Sequence, residues 1–150
     1  MTTTLPNRPS RSGAEPGLTL VREAGPGLGV LGRLSSLADE TRVRILLILE
    51  GRELAVGELC KVVQLPQSTV SRHLKALVDG GWITARTDGT SHLYTMTRTP
   101  TDAPRTTRTE RQDGDNAARR RLWTLVREQV GPTPVATQDQ RRLQATLAER

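Results

Sequence analysis

The chain contains one cysteine, Cys60, and no phenylalanine, and aromatic residues make up only 2% of its 150 positions. A lone thiol excludes an intramolecular disulfide and leaves a cysteine-based zinc framework short of ligands. With 35% hydrophobic residues and so few rings, the core must be modest and aliphatic. No stretch approaches the roughly 20 apolar residues that span a bilayer. The longest aliphatic run is ILLIL at 45–49. Neither a membrane partner nor an apolar signal core is therefore expected. The opening MTTTLPNRPSRSGAEPG is rich in Arg, Ser and Thr, as transit peptides are, but Pro6, Pro9, Gly13, Pro16 and Gly17 break any helical presequence. The reading is a flexible tail over 1–27 on a cytoplasmic protein.

What the chain does have is positive charge. The formal balance is +6, supplied mostly by arginine, and a surplus of that sign favours polyanionic partners. Apolar periodicity begins near Val30 and predicts a mainly α domain with a small β-hairpin over 28–97. Val30, Leu31, Leu34, Leu37 and Ala38 share helical spacing. Asp39 stands as an N-cap before ETRVRILLILEG, and Gly51 stops that helix. Val56, Leu59, Cys60 and Val63 repeat the pattern in miniature. QSTVSRHLKALVDGG is the strongest helix, and the alternation of WITARTDGTSHLYTMT around Asp88-Gly89 signals a hairpin. Residues 98–116 are polar and read as a linker, and 117–150 hold two amphipathic helices. The first, 117–130, carries Leu122, Leu125, Val126 and Val130 on one stripe with Trp123 beside it. The second is read from a capping Thr137 and ends without a stop signal, which suggests the front part of something longer.

On the helix starting at Gln67, Val70, Leu74, Leu77 and Val78 cluster on a face that must be buried. Ser68, Arg72 and Lys75 fall opposite, with Thr69 and Ser71 on the flanks. No acidic residue occurs from Leu65 to Val78. Arg and Lys reach guanine edges or phosphates, Gln pairs with adenine, and Ser and Thr bond bases or backbone. A plain solvated face would normally mix both signs. Gln67, Ser68, Thr69, Ser71, Arg72 and Lys75 are thus the candidate DNA contacts, joined by Arg86 in the hairpin.

The motifs LADETRVRIL, ELAVGEL and QSTVSRHLKAL, followed by DGG and the hairpin, resemble the arsenic-repressor (ArsR/SmtB) family of winged-helix regulators. The resemblance covers about 65 residues in the right order. It implies a winged helix-turn-helix with a C-terminal dimerisation helix, and a homodimeric transcription factor, usually a repressor released by an inducer. The recognition helix corresponds to 67–78 and the wing to 82–97. Leu31, Leu34, Leu122, Trp123, Leu125, Val126 and Val130 are then the expected dimer contacts, and an imperfect palindromic operator the expected partner. The wing departs from the family pattern, because Arg86 is its only formal positive charge. His92 alternates in phase with Tyr94 and Met96 and reads as an inward structural residue, and His73 as a packed one.

Soft-metal sensors of this family place a CxC pair ahead of a third cysteine. The pair falls here on Ala55 and Gly57, so Cys60 is left alone, and one thiolate cannot hold zinc or arsenic. The family's other site needs Asp, His and Glu on the dimer helix, where 117–130 offers only Glu128. No metal and no cofactor are expected, any inducer is expected to be non-metallic, and Cys60 reads as a small core residue. A redox role for Cys60 would require an accessible thiol of low pKa. GLGVLG at 27–32 matches the dinucleotide fingerprint, but Pro26 interrupts the approach and no further strands follow, so no enzyme is predicted. RRRLWTLVREQV and QDQRRLQATLAER resemble the linker helices of relatives that carry a methyltransferase-like domain, whose own glycine-rich motif is missing. Two alternatives therefore accompany the repressor reading: the DNA-binding front end of such a regulator, or a winged-helix protein-interaction module.

Overall fold

The computed structural model describes residues 26–97 and 110–150, with side chains described over 29–97 and 114–150. The tail expected over 1–27 falls almost wholly outside the described residues, as do residues 98–109 of the linker expected over 98–116. The elements run α1 (Pro26–Leu37), α2 (Glu40–Leu49), β1 (Glu53–Ala55), α3 (Val56–Val63), α4 (Gln67–Asp79), β2 (Ile83–Asp88), β3 (Ser91–Met96), α5 (Glu110–Val130) and α6 (Pro134–Ala148). This is the winged helix-turn-helix order, with two C-terminal helices.

Helix α2 is the hub. Asp39 caps it, its Oδ1 accepting from the Arg42 N–H at 3.0 Å. Ile45, Leu46, Leu47, Ile48 and Leu49 are all buried, so the helix is apolar all round at this level, as a central helix must be. It packs against α1, α3, α4, α5, α6 and β3. Leu59 and Val62 of α3, Val70, Leu74 and Leu77 of α4, and Trp82 and Ile83 complete the core. Val78, expected among the buried residues, is exposed instead. It lies in the last turn of α4, at the edge of the apolar face and beside the fully buried Leu77.

The sheet is antiparallel with order β1-β3-β2. Leu54 and Ala85 both register with Tyr94, and Asp88 pairs with Ser91. The two-residue loop is therefore Gly89-Thr90, one residue later than the sequence signal placed it. Gly89 takes φ +60° at the first loop position, where a two-residue turn with glycine first fits the strand twist. His92 pairs with Thr87 near the tip and is exposed, because on its face of β3 the core is met only by Tyr94 and Met96. The inward role expected for it is corrected accordingly.

Helix α5 begins at Glu110, inside the segment read as linker, and α6 begins at Pro134 rather than beyond Thr137. Thr133 is the cap of α6, accepting from the Ala136 N–H at 3.4 Å, with Pro134 preset for the first helical position. Ala136 and Leu143 join the core, so α6 completes the compact unit against α2 and α3. The Gly27-Gly29-Gly32 fingerprint lies within α1 and forms no phosphate turn after a strand.

Candidate nucleic-acid interface

Helix α3, the left-handed Gln64 (φ 59°) and Pro66 turn the chain into α4. Gln64 makes this bend workable, because its N–H still closes α3 on the Cys60 carbonyl at 2.9 Å. The chain then enters α4 through Pro66, which offers no side-chain cap, and the first turn contains no acid. Unfilled amide donors at such an end attract phosphate oxygens. Burial of Val70, Leu74 and Leu77 turns the opposite face outward. Gln67, Ser68, Ser71, Arg72 and Lys75 are exposed there, and Thr69 is half-buried at the edge. Arg72 has no acidic partner among the described residues, whereas Lys75 reaches Asp79 one turn on at 3.1 Å. That pair is solvated and weak, so phosphate can compete for the ammonium.

Arg86 is placed differently. Its Nε donates to Glu53 Oε2 at 2.8 Å, and its guanidinium lies 3.9 Å from Asp88. The Arg86 hydrogen bond holds the Glu53 carboxyl below its ordinary pKa. The wing cation is thus neutralised within the sheet, tying β2 to β1 across β3.

The expected dimer residues divide into three groups by burial. Leu31 is 60% exposed and Leu125 58%, with Leu34 exposed beside them on α1. Leu122, Val126 and Val130 are half-buried against the core. Trp123 is buried at 8% exposure within the chain's own core. Its Nε1 donates to Glu50 Oε1 at 3.3 Å, an oxygen that Arg127 Nη1 also reaches at 2.9 Å. Periodicity alone carries no sign of this, since an amphipathic stripe does not say which of its edges faces the core.

Cys60 is half-buried against the core, and desolvation raises its thiol pKa. Ala55 and Gly57 supply no ligand near it. Among the described residues no group of three His, Cys, Asp or Glu side chains is placed to hold a metal ion. His73 is half-buried with Nδ1 3.7 Å from Asp39, the cap of α2.

A buried ion pair stands behind the helix-turn-helix. Asp139 of α6 is 1% exposed and accepts from Arg44 Nε at 2.6 Å and Nη2 at 2.8 Å. Arg44 Nη2 also donates to the Val63 carbonyl at 3.2 Å, at the last residue of α3. The bend between α3 and α4 is therefore backed by a clamp running from α6 through α2. An aspartate in TQDQRR carries no sequence signal of burial.

Comparison with known proteins agrees with this geometry. Residues 39–84 match the family model described as bacterial regulatory protein, arsR family. The chain is similar to the arsenical resistance operon repressor of Staphylococcus aureus, 40% identical over 63 residues that make up 42% of this chain and 61% of the relative. It is 37% identical over 70 residues to the transcriptional activator HlyU of Vibrio cholerae serotype O1, covering 47% of this chain and 65% of that one. The chain thus spans less than two thirds of either curated relative. Among solved structures it resembles the homodimeric winged helix-turn-helix DNA-binding domain of a possible ArsR-family transcriptional regulator from Mycobacterium bovis. That likeness has a TM-score of 0.52 at 26% identity and covers 71% of this chain and 82% of the other.

Proposed function

From the premise that this chain carries an arsR-family winged helix-turn-helix domain, we propose that it is a sequence-specific DNA-binding transcriptional regulator acting as a homodimer. The observation that carries this reading is the outward face of α4, where Gln67, Ser68, Ser71, Arg72 and Lys75 stand exposed above a buried apolar face. Arg72 and Lys75 take base edges or phosphates, and Gln67, Ser68, Thr69 and Ser71 act as polar readers. Arg86 contributes less, because Glu53 already holds it.

Leu31, Leu34 and Leu125 form the centre of the dimer face, with Leu122, Val126 and Val130 beneath it. Trp123 supports that face from within its own subunit. Exposed aliphatic side chains on two helices that pack together, α1 and α5, favour burial against a twofold copy. Two α4 helices would then enter successive major grooves ~34 Å apart on an imperfect palindrome. Repression is the proposed sign, the role named for the staphylococcal relative. The inducer is proposed to be non-metallic and Cys60 a packing residue, a reading supported by its raised thiol pKa and by Ala55 and Gly57 at the neighbouring positions. A cytoplasmic site of action goes with this role.

The test is fluorescence anisotropy against duplex from the gene's own upstream region and a scrambled duplex, at several salt concentrations. Tight binding to the first alone, at one dimer per site, is the expected result. Equal and steeply salt-dependent binding to both would reduce the interaction to charge. Preserved dimerisation with no duplex binding would favour a protein-interaction module.

A further inference from the structure

Arg119, in the middle of α5, reaches the base of the wing. Its Nη1 donates to the Gly81 carbonyl at 3.1 Å and its Nη2 to the Thr97 carbonyl at 3.5 Å. Gly81 leads from α4 into β2, and Thr97 follows β3. The Thr97 N–H returns to the Trp82 carbonyl at 2.9 Å and closes the hairpin at the same level. One guanidinium thus spans both ends of the wing, just past the end of α4.

The surroundings make this contact specific. Burial is the largest influence on Arg119 and lowers its pKa, with the nearby Arg33 cation acting in the same direction and Asp115 opposing. Asp115 is itself engaged by Arg33 of α1. A partly desolvated cation beside another cation is unfavourable unless its donors are satisfied, and backbone carbonyls of the wing base satisfy two of them. Positive charge at this place also suits the carbonyl end of α4. From the other side, Gly80 lies so close to Ser36 of α1 that an added Cβ would collide with the Ser36 hydroxyl. The turn between α4 and β2 is therefore gripped by α1 and α5 together, and these are the helices that carry the exposed Leu31, Leu34 and Leu125.

We propose that Arg119 is a positioning residue, fixing the pitch of α4 and the wing relative to the dimer axis and so setting the half-site spacing the dimer accepts. This inference rests on the DNA-binding homodimer proposed above. It differs from a general stabilising role, which would scale affinity equally at all spacings.

The experiment starts from a duplex selected out of a random pool by the wild-type protein. That duplex is remade with the half-sites moved closer or apart by single base pairs. Binding of wild type, Arg119→Ala and Arg119→Lys is measured by anisotropy, with dimerisation checked by sedimentation. Wild type should show one sharply preferred spacing. Arg119→Ala should lose roughly tenfold at that spacing, the worth of a charge-assisted hydrogen bond, and little elsewhere, so that its profile flattens. Arg119→Lys keeps the charge without the planar fork and should fall between. An equal loss at every spacing, or no loss, overturns the proposal. Should Arg119→Ala fail to dimerise, Arg119→Lys decides by the same profile. A wild-type protein that selects no sequence overturns the DNA-binding reading itself, and the spacing role falls with it.

Discussion

Trp123 and Glu50 are joined by a 3.3 Å hydrogen bond from the indole nitrogen to the carboxylate, which fastens α5 to the end of α2 within the chain. Trp123→Ala should therefore cost roughly 3–5 kcal/mol of subunit stability. Leu125→Glu, on the exposed side of the same helix, should leave the isolated subunit folded and raise the dimer dissociation constant at least tenfold. Urea unfolding and sedimentation equilibrium on both variants separate the two effects. Dimer loss without subunit destabilisation in Trp123→Ala would reverse the assignment.

Asp139→Asn should be strongly destabilising, on the order of 3–5 kcal/mol, because it leaves the Arg44 guanidinium partly buried without its counter-charge. The paired replacement Arg44→Met with Asp139→Leu should recover most of that loss. A double-mutant cycle in urea built from Arg44→Met, Asp139→Leu and the pair measures the coupling, and simple additivity would mean that the two side chains do not act as a unit.

Arg72→Ala should cost roughly 1–3 kcal/mol of binding and relax specificity at one base pair, if the guanidinium reads a guanine. If it contacts phosphate, affinity should fall on all sequences alike and the salt slope should shrink by about 1. Titration of selected and scrambled duplexes over a salt series distinguishes these outcomes, and unchanged affinity would remove Arg72 from the interface.

Glu58 receives Arg150 at 2.8 and 3.0 Å and accepts from the Ala55 N–H at 2.8 Å, where α3 begins. The Arg150 hydrogen bond, aided by that amide, holds its carboxyl below the ordinary value of 4.5. A group lowered on folding contributes stability that is present above its unfolded pKa and is lost as pH falls through the folded one. Wild-type stability should thus decline as pH drops below about 4.5, and Glu58→Gln should be less stable at pH 7 and show a shallower acid decline. Urea midpoints measured from pH 7 down to pH 3 give both slopes, and parallel curves would assign the acid sensitivity to other carboxylates.

The elements that were legible in the sequence are those whose signals are local. Asp39 before an apolar run announced the start of α2, and the glycines after Asp79 announced the end of α4. The polar face from Gln67 to Lys75 followed from periodicity alone. Errors appeared where distant chain decides the outcome. Val78 lies toward the apolar face by angle, but it stands at the edge of that face and stays 40% exposed while Leu77 beside it is fully buried. His92 keeps the strand alternation but stands beyond the edge of the core. Asp139 and Arg119 were invisible for a related reason: each sits in an arginine-rich stretch that reads as solvated charge. Their partners, Arg44 for one and the Gly81 and Thr97 carbonyls for the other, leave no mark on the local pattern.

The clamp behind the helix-turn-helix also bears on the order in which the molecule assembles. Helices α3 and α4 are neighbours in sequence and can meet early, yet the arginine that backs their bend waits for an aspartate 95 residues further along. Loop closure of that length has to be met before the contact rewards it. During synthesis the helix-turn-helix is therefore expected to remain loosely seated until α6 has emerged and docked.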